Sequence, residues 1–211
     1  MVKKIYGICK NFLKHILYQR NFSVYRKYFW EKKSFQLHEQ YGKNPDTAGP
    51  LEHALAEVQP QLLLDMGCND GRNFIVFQNY NIRHIDAFDI SPSAIDFAKR
   101  RNISNVSCFI SSFEDFIPEK KYDLCLSIRF LQHIPPNILK IKINDIINHS
   151  KYIYIDDISE EEMYYNNYTL SHYIYVHDYK SIFKKNGAIL LWSMNHPTSQ
   201  RRTCMLFKTG N

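Results

Sequence analysis

Apolar residues recur along this chain with two different periods. Between residues 2 and 20, Ile5, Ile8, Phe12, Leu13, Ile16 and Leu17 fall at helical spacing, with Lys3, Lys10, Lys14 and Arg20 mostly on the other side, which predicts an amphipathic basic helix. Residues 22–41 predict a second helix, rich in aromatic and cationic side chains; 42–50 read as a loop, and Leu51–Val58 as a helix stopped by Pro60. Short apolar runs then alternate with helical stretches. Leu62–Leu64 predict a buried strand ending at Asp65, residues 72–79 a helix, Ile85–Phe88 a strand ending at Asp89, and SPSAIDFAKRR a helix with Ser91 as its cap and Pro92 in its first turn. Val106–Ile110 and Tyr122–Ser127 predict strands, Pro136–Asn148 a helix, Tyr152–Ile155 a fifth strand, and Tyr179–Lys185 a helix stopped by Gly187. The last two strands, Ala188–Trp192 and Thr203–Phe207, have only the loop MNHPTSQRR between them, so they should pair antiparallel. Strands alternating with crossover helices predict a largely parallel α/β sheet.

Composition narrows the setting. The 211 residues suit one main domain, and 45% hydrophobic with 23% charged residues is ordinary for a globular protein. We expect no membrane span and no signal peptide, because no apolar run is long or uninterrupted enough. Five scattered cysteines (9, 68, 108, 125 and 204), none in a CxxC pair, point to a reducing, cytoplasmic setting and away from disulfides or zinc. The net charge of +6 is concentrated: residues 1–45 hold ten Lys/Arg against two Glu, and the remainder seventeen against nineteen acids. The basicity therefore belongs to a helical extension, residues 1–48, and says little about the ligand of a core domain over 49–211.

The chemistry is concentrated in LLLDMGCNDGRNF, Leu62 to Phe74. An acid at the end of a strand, glycines at 67 and 71, and a helix beginning near Arg72 make a tight turn that a ligand can approach closely, with free N–H groups to receive an anionic group. A dinucleotide fingerprint would need glycines at 67, 69 and 72, whereas this chain has Gly67, Asn69 and Arg72; no GK[ST] follows, which excludes a Walker loop. What remains is D-x-G-C-x-x-G, followed by an acid, Asp89, ending the second strand.

These segments resemble the class I S-adenosylmethionine (SAM) dependent methyltransferases over about residues 49–211. LLLDMGCNDGRNF looks like their first motif, HIDAFDIS their second, SSFEDF the loop after their third strand, and YDLCLSIRFLQHIPP their fourth-strand segment. The resemblance implies a Rossmann-like methyltransferase fold: a mostly parallel seven-stranded sheet with an antiparallel C-terminal hairpin, here carrying an N-terminal helical extension. It also implies SAM as cofactor. Asp89 would accept from the ribose hydroxyls, Gly67 and Gly71 would let the backbone approach the methionine part, and Asp65 would organise the turn or meet the amino group. Ile90 and Phe113 would sandwich the adenine, with core packing as the other reading of Phe113; Asn69, Ser112, Ser127 and Arg129 complete the cofactor set. Two positions depart from the pattern: Asn69 stands where many members have a glycine, and Ser112 where an adenine-binding Asp is frequent.

Methyl transfer to a hydroxyl benefits from a general base. His133, after the fourth strand, is one candidate, although its position also suits helix packing. His172 is the second, within the long polar stretch 156–179 that reads as a lid or binding loop. In that stretch His177 and Asp178 either face the acceptor or cap the next helix, and Tyr164, Tyr165 and Tyr168 would be walls. Asp156 and Asp157 end the fifth strand, but the fourth ends at Ser127 with no partnering acid, so no metal is expected. SIRF after the fourth strand, instead of the [DNS]PP[YFW] of base-modifying amino-methyltransferases, argues against nucleic acid and for a small-molecule or glycan hydroxyl. Residues 2–20 either dock on the domain or make a peripheral membrane contact. A SAM-binding scaffold without activity, and a nucleic-acid methyltransferase, are the alternative readings.

Overall fold

The computed structural model describes residues 23–41, 49–158 and 174–210. The helix expected over 2–20, His172, Tyr164, Tyr165 and Tyr168 lie outside them. Helix α1 (Ser23–Tyr41) is followed by α2 (Pro50–Val58), β1 (Leu62–Met66), the single turn α3 (Phe74–Phe77), β2 (His84–Asp89), α4 (Pro92–Arg100), β3 (Val106–Ile110) and β4 (Tyr122–Ile128). A 3-10 turn (Leu131–His133) leads to α5 (Pro136–Asn148), β5 (Ser150–Ile158), α6 (Tyr179–Lys185), β6 (Ile189–His196) and β7 (Ser199–Lys208).

The seven strands form one sheet in the order β3-β2-β1-β4-β5-β7-β6. β1 to β5 are parallel and β7 is antiparallel to both neighbours. The strand period of two sorts side chains onto two cores. Leu63, Leu124, Leu126, Tyr154 and Leu206 face α2, α3 and α4, while Leu64, Cys125, Ile153, Ile155, Met205 and Phe207 face α5 and α6. Because both faces are covered, the central strands read as continuous apolar runs.

Some boundaries differ from the sequence pattern for physical reasons. The helix expected over 72–79 shrinks to one turn, because the glycine turn continues through Asn73 before α-helical bonding begins. The closing strands are longer than expected, and their connection is tight, His196 pairing with Ser199. β6 is an edge strand and keeps polar residues such as Ser193 and Asn195 in water while it pairs on one side only. Ser91 caps α4 as anticipated, its Oγ accepting from Ala94 N at 3.2 Å. Among the described residues no helix is long and apolar enough to cross a membrane.

Candidate cofactor cleft

The strand order reverses between β1 and β4, and ligands of open α/β sheets bind at the carboxyl ends of strands beside such a reversal. The turn after β1 is built there by backbone bonds: Cys68 N donates to Phe88 O at 3.0 Å, and Gly71 N to Cys68 O at 3.0 Å. Gly67 and Gly71 have φ of +68° and +69°, and a Cβ on either would collide with the ring of Phe130 or Phe74 respectively. Asn69 also takes positive φ, 51°. Asn is among the residues that visit this region at least cost, which explains how it can stand where many relatives have glycine.

Asn69 N donates to Asp89 Oδ2 at 3.0 Å, and Ser91 N to Asp89 Oδ1 at 2.9 Å. The acid ending β2 is therefore locked onto the glycine turn. Burial raises its pKa to about 6, with the charge of Glu31 adding to the effect and the backbone N–H groups opposing it. Behind it Asp65 is 1% exposed, and burial, with the nearby Asp89, pushes its carboxyl up to about 8. Asp65 Oδ2 and Asn69 Oδ1 are buried oxygens that no donor among the described residues satisfies.

These groups border a cleft of about 980 Å³, counted to its open mouth. Gly67, Cys68, Asn69 and Arg72 form its floor, and Asp89 and Ile90 its β2 side. Ser111, Phe113 and Glu114 come from the loop after β3; Ile128, Arg129, Phe130 and His133 from the end of β4. Of the residues expected in the cofactor set, Gly67, Asn69, Asp89, Ile90, Phe113 and Arg129 thus line the cleft. Gly71 shapes the turn and Asp65 lies beneath it. Ser112 does not face the cleft: its hydroxyl donates to Asp115 Oδ2 at 2.6 Å and accepts from Asp115 N at 3.1 Å, so Ser111 lines the space instead. Ser127 is also turned away, donating to Asp157 Oδ2 at 3.3 Å and accepting from Leu131 N at 3.1 Å. It shapes the loop that carries Arg129 and His133. Phe113 joins both of its readings, lining the cleft while only 2% exposed and packed edge-on to Phe130.

The roof of the cleft is α1. Arg26, Trp30, Ser34 and Leu37 reach it from one helical stripe. Three contacts fasten that helix: Arg26 pairs with Glu114, Glu31 Oε2 accepts from Ser91 Oγ at 2.7 Å, and His38 Nδ1 lies 2.8 Å from Asp70 Oδ2 with its ring stacked on Phe97. The sequence reading left this helix out of the site, although the spacing 26-30-34-37 marks a single face that could have indicated it.

His133 stacks edge-on against Trp30, with ring centroids 4.6 Å apart. Its Nε2 is 3.2 Å from Gln132 Nε2, while Gln132 Oε1 accepts from Ile158 N. The amide nitrogen can only donate, so His133 Nε2 is the acceptor and the neutral ring carries its proton on Nδ1. His177 is different: Nε2 donates to the carbonyls of Leu131 and Ile134, each at 3.1 Å, and burial lowers its pKa to about 4. It pins the loop and does not line the cleft. Asp178 caps α6, accepting from Ser181 N at 2.9 Å.

Comparison with known proteins follows this geometry. Residues 63–151 match a family model described as a methyltransferase domain. No curated protein matches the chain in sequence. Among solved structures, the magnesium protoporphyrin IX methyltransferase ChlM of Synechocystis PCC 6803, with bound S-adenosylhomocysteine (SAH), superposes with a TM-score of 0.67 at 12% identity, covering 89% of this chain and 99% of that one. The N-methyltransferase NodS of Bradyrhizobium japonicum WM9 in complex with SAH gives 0.64 at 13% identity, over 77% and 84% of the two chains. The methyltransferase domain of a bacterial protein, CtHen1-C, gives 0.63 at 15% identity, over 76% and 95%. In chemical kind the cleft fits the SAH held by the first two of these structures: an acid is fixed at the end of β2, and unsatisfied polar oxygens sit at the glycine turn. Over residues 63–151 the chain is similar to methyltransferase domains, and its fold is that of the Rossmann-like methyltransferases.

Proposed function

We propose that the protein is a SAM-dependent methyltransferase and that it acts on a hydroxyl of a small molecule or glycan. The observation that carries the reading is His133, which lines the cofactor cleft with its Nε2 held by the side-chain amide of Gln132. A nitrogen lone pair at the rim of the cleft suits an acceptor that must lose a proton on methylation.

When bound, SAM supplies a methyl group already activated on a sulfonium. The protein's share is alignment, exclusion of water and removal of one proton. Asp89 would hold the ribose hydroxyls, Asn69 Oδ1 and Asp65 would serve the amino-acid end, and Ile90 with Phe113 would flank the base. Arg129 would face the cofactor's inner end, with Ser127 holding its loop from behind. Trp30 and Leu37 close the site from above, and His133 Nε2 receives the proton of the acceptor hydroxyl.

Calorimetric titration with SAH is the first test. We expect saturable binding that Asp89→Ala weakens by roughly two orders of magnitude, since each hydrogen bond to a charged group is worth about 1.5–3 kcal/mol. Transfer of labelled methyl to a panel of alcohols and phenols is the second. His133→Ala should lower kcat by about a hundredfold while SAH affinity changes little; transfer only to amines, or indifference to His133, would refute the hydroxyl reading.

A further inference from the structure

A second cavity, of about 690 Å³, opens next to the cofactor cleft beyond the carboxyl ends of β4 and β5. Arg129 lines both spaces, and consecutive residues divide between them: His133 borders the cleft, Gln132 the second cavity. The cavity's other wall is the β6–β7 turn, placed there because β7 runs antiparallel and its first residues pair with the end of β5, Arg202 opposite Ile158. Thr198, Ser199, Arg201 and Arg202 come from that wall.

The charge of this space is lopsided. Among the described residues three guanidinium groups line it and no carboxylate does. Two described acids at the end of β5 are used elsewhere: Asp156 is fully buried and takes both ends of the Arg202 fork, and Asp157 is fully buried and accepts from Tyr179 and Ser127. Arg202 is thereby neutralised and fixed. Arg201 is exposed and pairs with no acid among the described residues. Its planar guanidinium, beside the hydroxyl of Ser199, is the kind of fork that carboxylates and phosphates take bidentately, while the Thr198 hydroxyl is held by His196 Nδ1 at 3.2 Å.

Resting on the hydroxyl reading above, we infer that this cavity holds the acceptor and that the acceptor carries an anionic group, a carboxylate or a phosphate monoester, which docks on Arg201 and the Arg129 side of the cavity. Its hydroxyl then lies beside Gln132 and takes that amide's place at His133 Nε2. In the transfer the hydroxyl oxygen bonds to the methyl carbon, the carbon–sulfur bond breaks with its electron pair going to sulfur, and the hydroxyl proton passes to His133. SAH and an O-methylated anion leave.

The test uses the full chain saturated with SAH. Inorganic phosphate and benzoate are titrated separately, followed by NMR, against wild type, Arg201→Ala and Arg201→Lys. We expect saturable binding of at least one anion, weakened about tenfold or more by Arg201→Ala and partly restored in Arg201→Lys, with SAH affinity unchanged. Whichever anion binds names the source. In parallel, labelled methyl uptake is compared for 4-hydroxybenzoate, 4-hydroxyphenyl phosphate and the neutral methyl ester of the former; the charged members should be preferred, and the preference should vanish in Arg201→Ala. Failure of wild type to bind SAH would strike the cofactor reading itself. SAH binding with no anion binding, equal use of neutral and charged acceptors, or Arg201-dependent binding of a short RNA in place of the small anions would each overturn this inference.

Discussion

Asp89 carries the most informative single titration in the molecule. Its carboxyl, raised to about 6, must be ionised to accept from two hydroxyls, so SAH affinity should hold above pH 7 and fall as the pH drops through 6. Titrations at pH 5, 6 and 7.5 check this, and a flat profile would remove Asp89 from the ribose site. Asn69 invites a separate experiment. Asn69→Gly should be nearly neutral in thermal stability, whereas Asn69→Val, forced into positive φ, should cost about 1–2 kcal/mol. Both residues were legible in the sequence because their signal is local: an acid at a strand end, and a polar residue inside a glycine turn. Ser112 has its hydroxyl turned from the cleft for an equally local reason. Its neighbour Asp115 satisfies the hydroxyl, and nothing in a residue type says which of two adjacent serines will face a cleft.

At the scale of elements, α1 is the part that pattern reading could not position. Its helical character was plain, but the partners that seat it, Glu114, Ser91 and Asp70, are 60 or more residues away in the first two cases and sit in loops whose shape only the fold defines. The same limit applied to α3, where the length of the glycine turn decides how much helix is left, and to His177, whose carbonyl partners belong to the 3-10 turn. By contrast, the largely parallel sheet and the helix-free hairpin followed from alternation and from the lack of a crossover. If α1 roofs the cleft, Trp30→Ala should speed SAH release about three- to tenfold, the worth of one aromatic contact, with little change in melting temperature. Stopped-flow displacement of a fluorescent SAH analogue measures this directly.

For the whole molecule, buried acids decide how stability varies with pH. Asp65 and Asp157 both have carboxyls raised to about 8 by burial, with a neighbouring acid adding to each. An acid whose folded pKa lies above its unfolded value binds more protons when folded, so stability is greatest below the unfolded value of 3.8 and declines as pH climbs toward 8. Asp157→Asn, which keeps an acceptor for Tyr179 and abolishes the charge, should therefore raise the melting temperature more at pH 8.5 than at pH 5; an equal shift at both would exclude the buried charge as the cause. The contact between Glu31 and the start of α4 has a consequence of the same kind for cofactor uptake. The roof helix brings a negative charge toward Asp89 and helps keep that carboxyl protonated in the empty protein. A ligand that needs the ionised form must then expel the proton as it enters, so uptake near pH 6 is an exchange of one ligand for another. Heat of SAH binding near that pH should vary with the ionisation enthalpy of the buffer, and Glu31→Gln should shrink the variation, making the helix a participant in proton traffic as well as a cover.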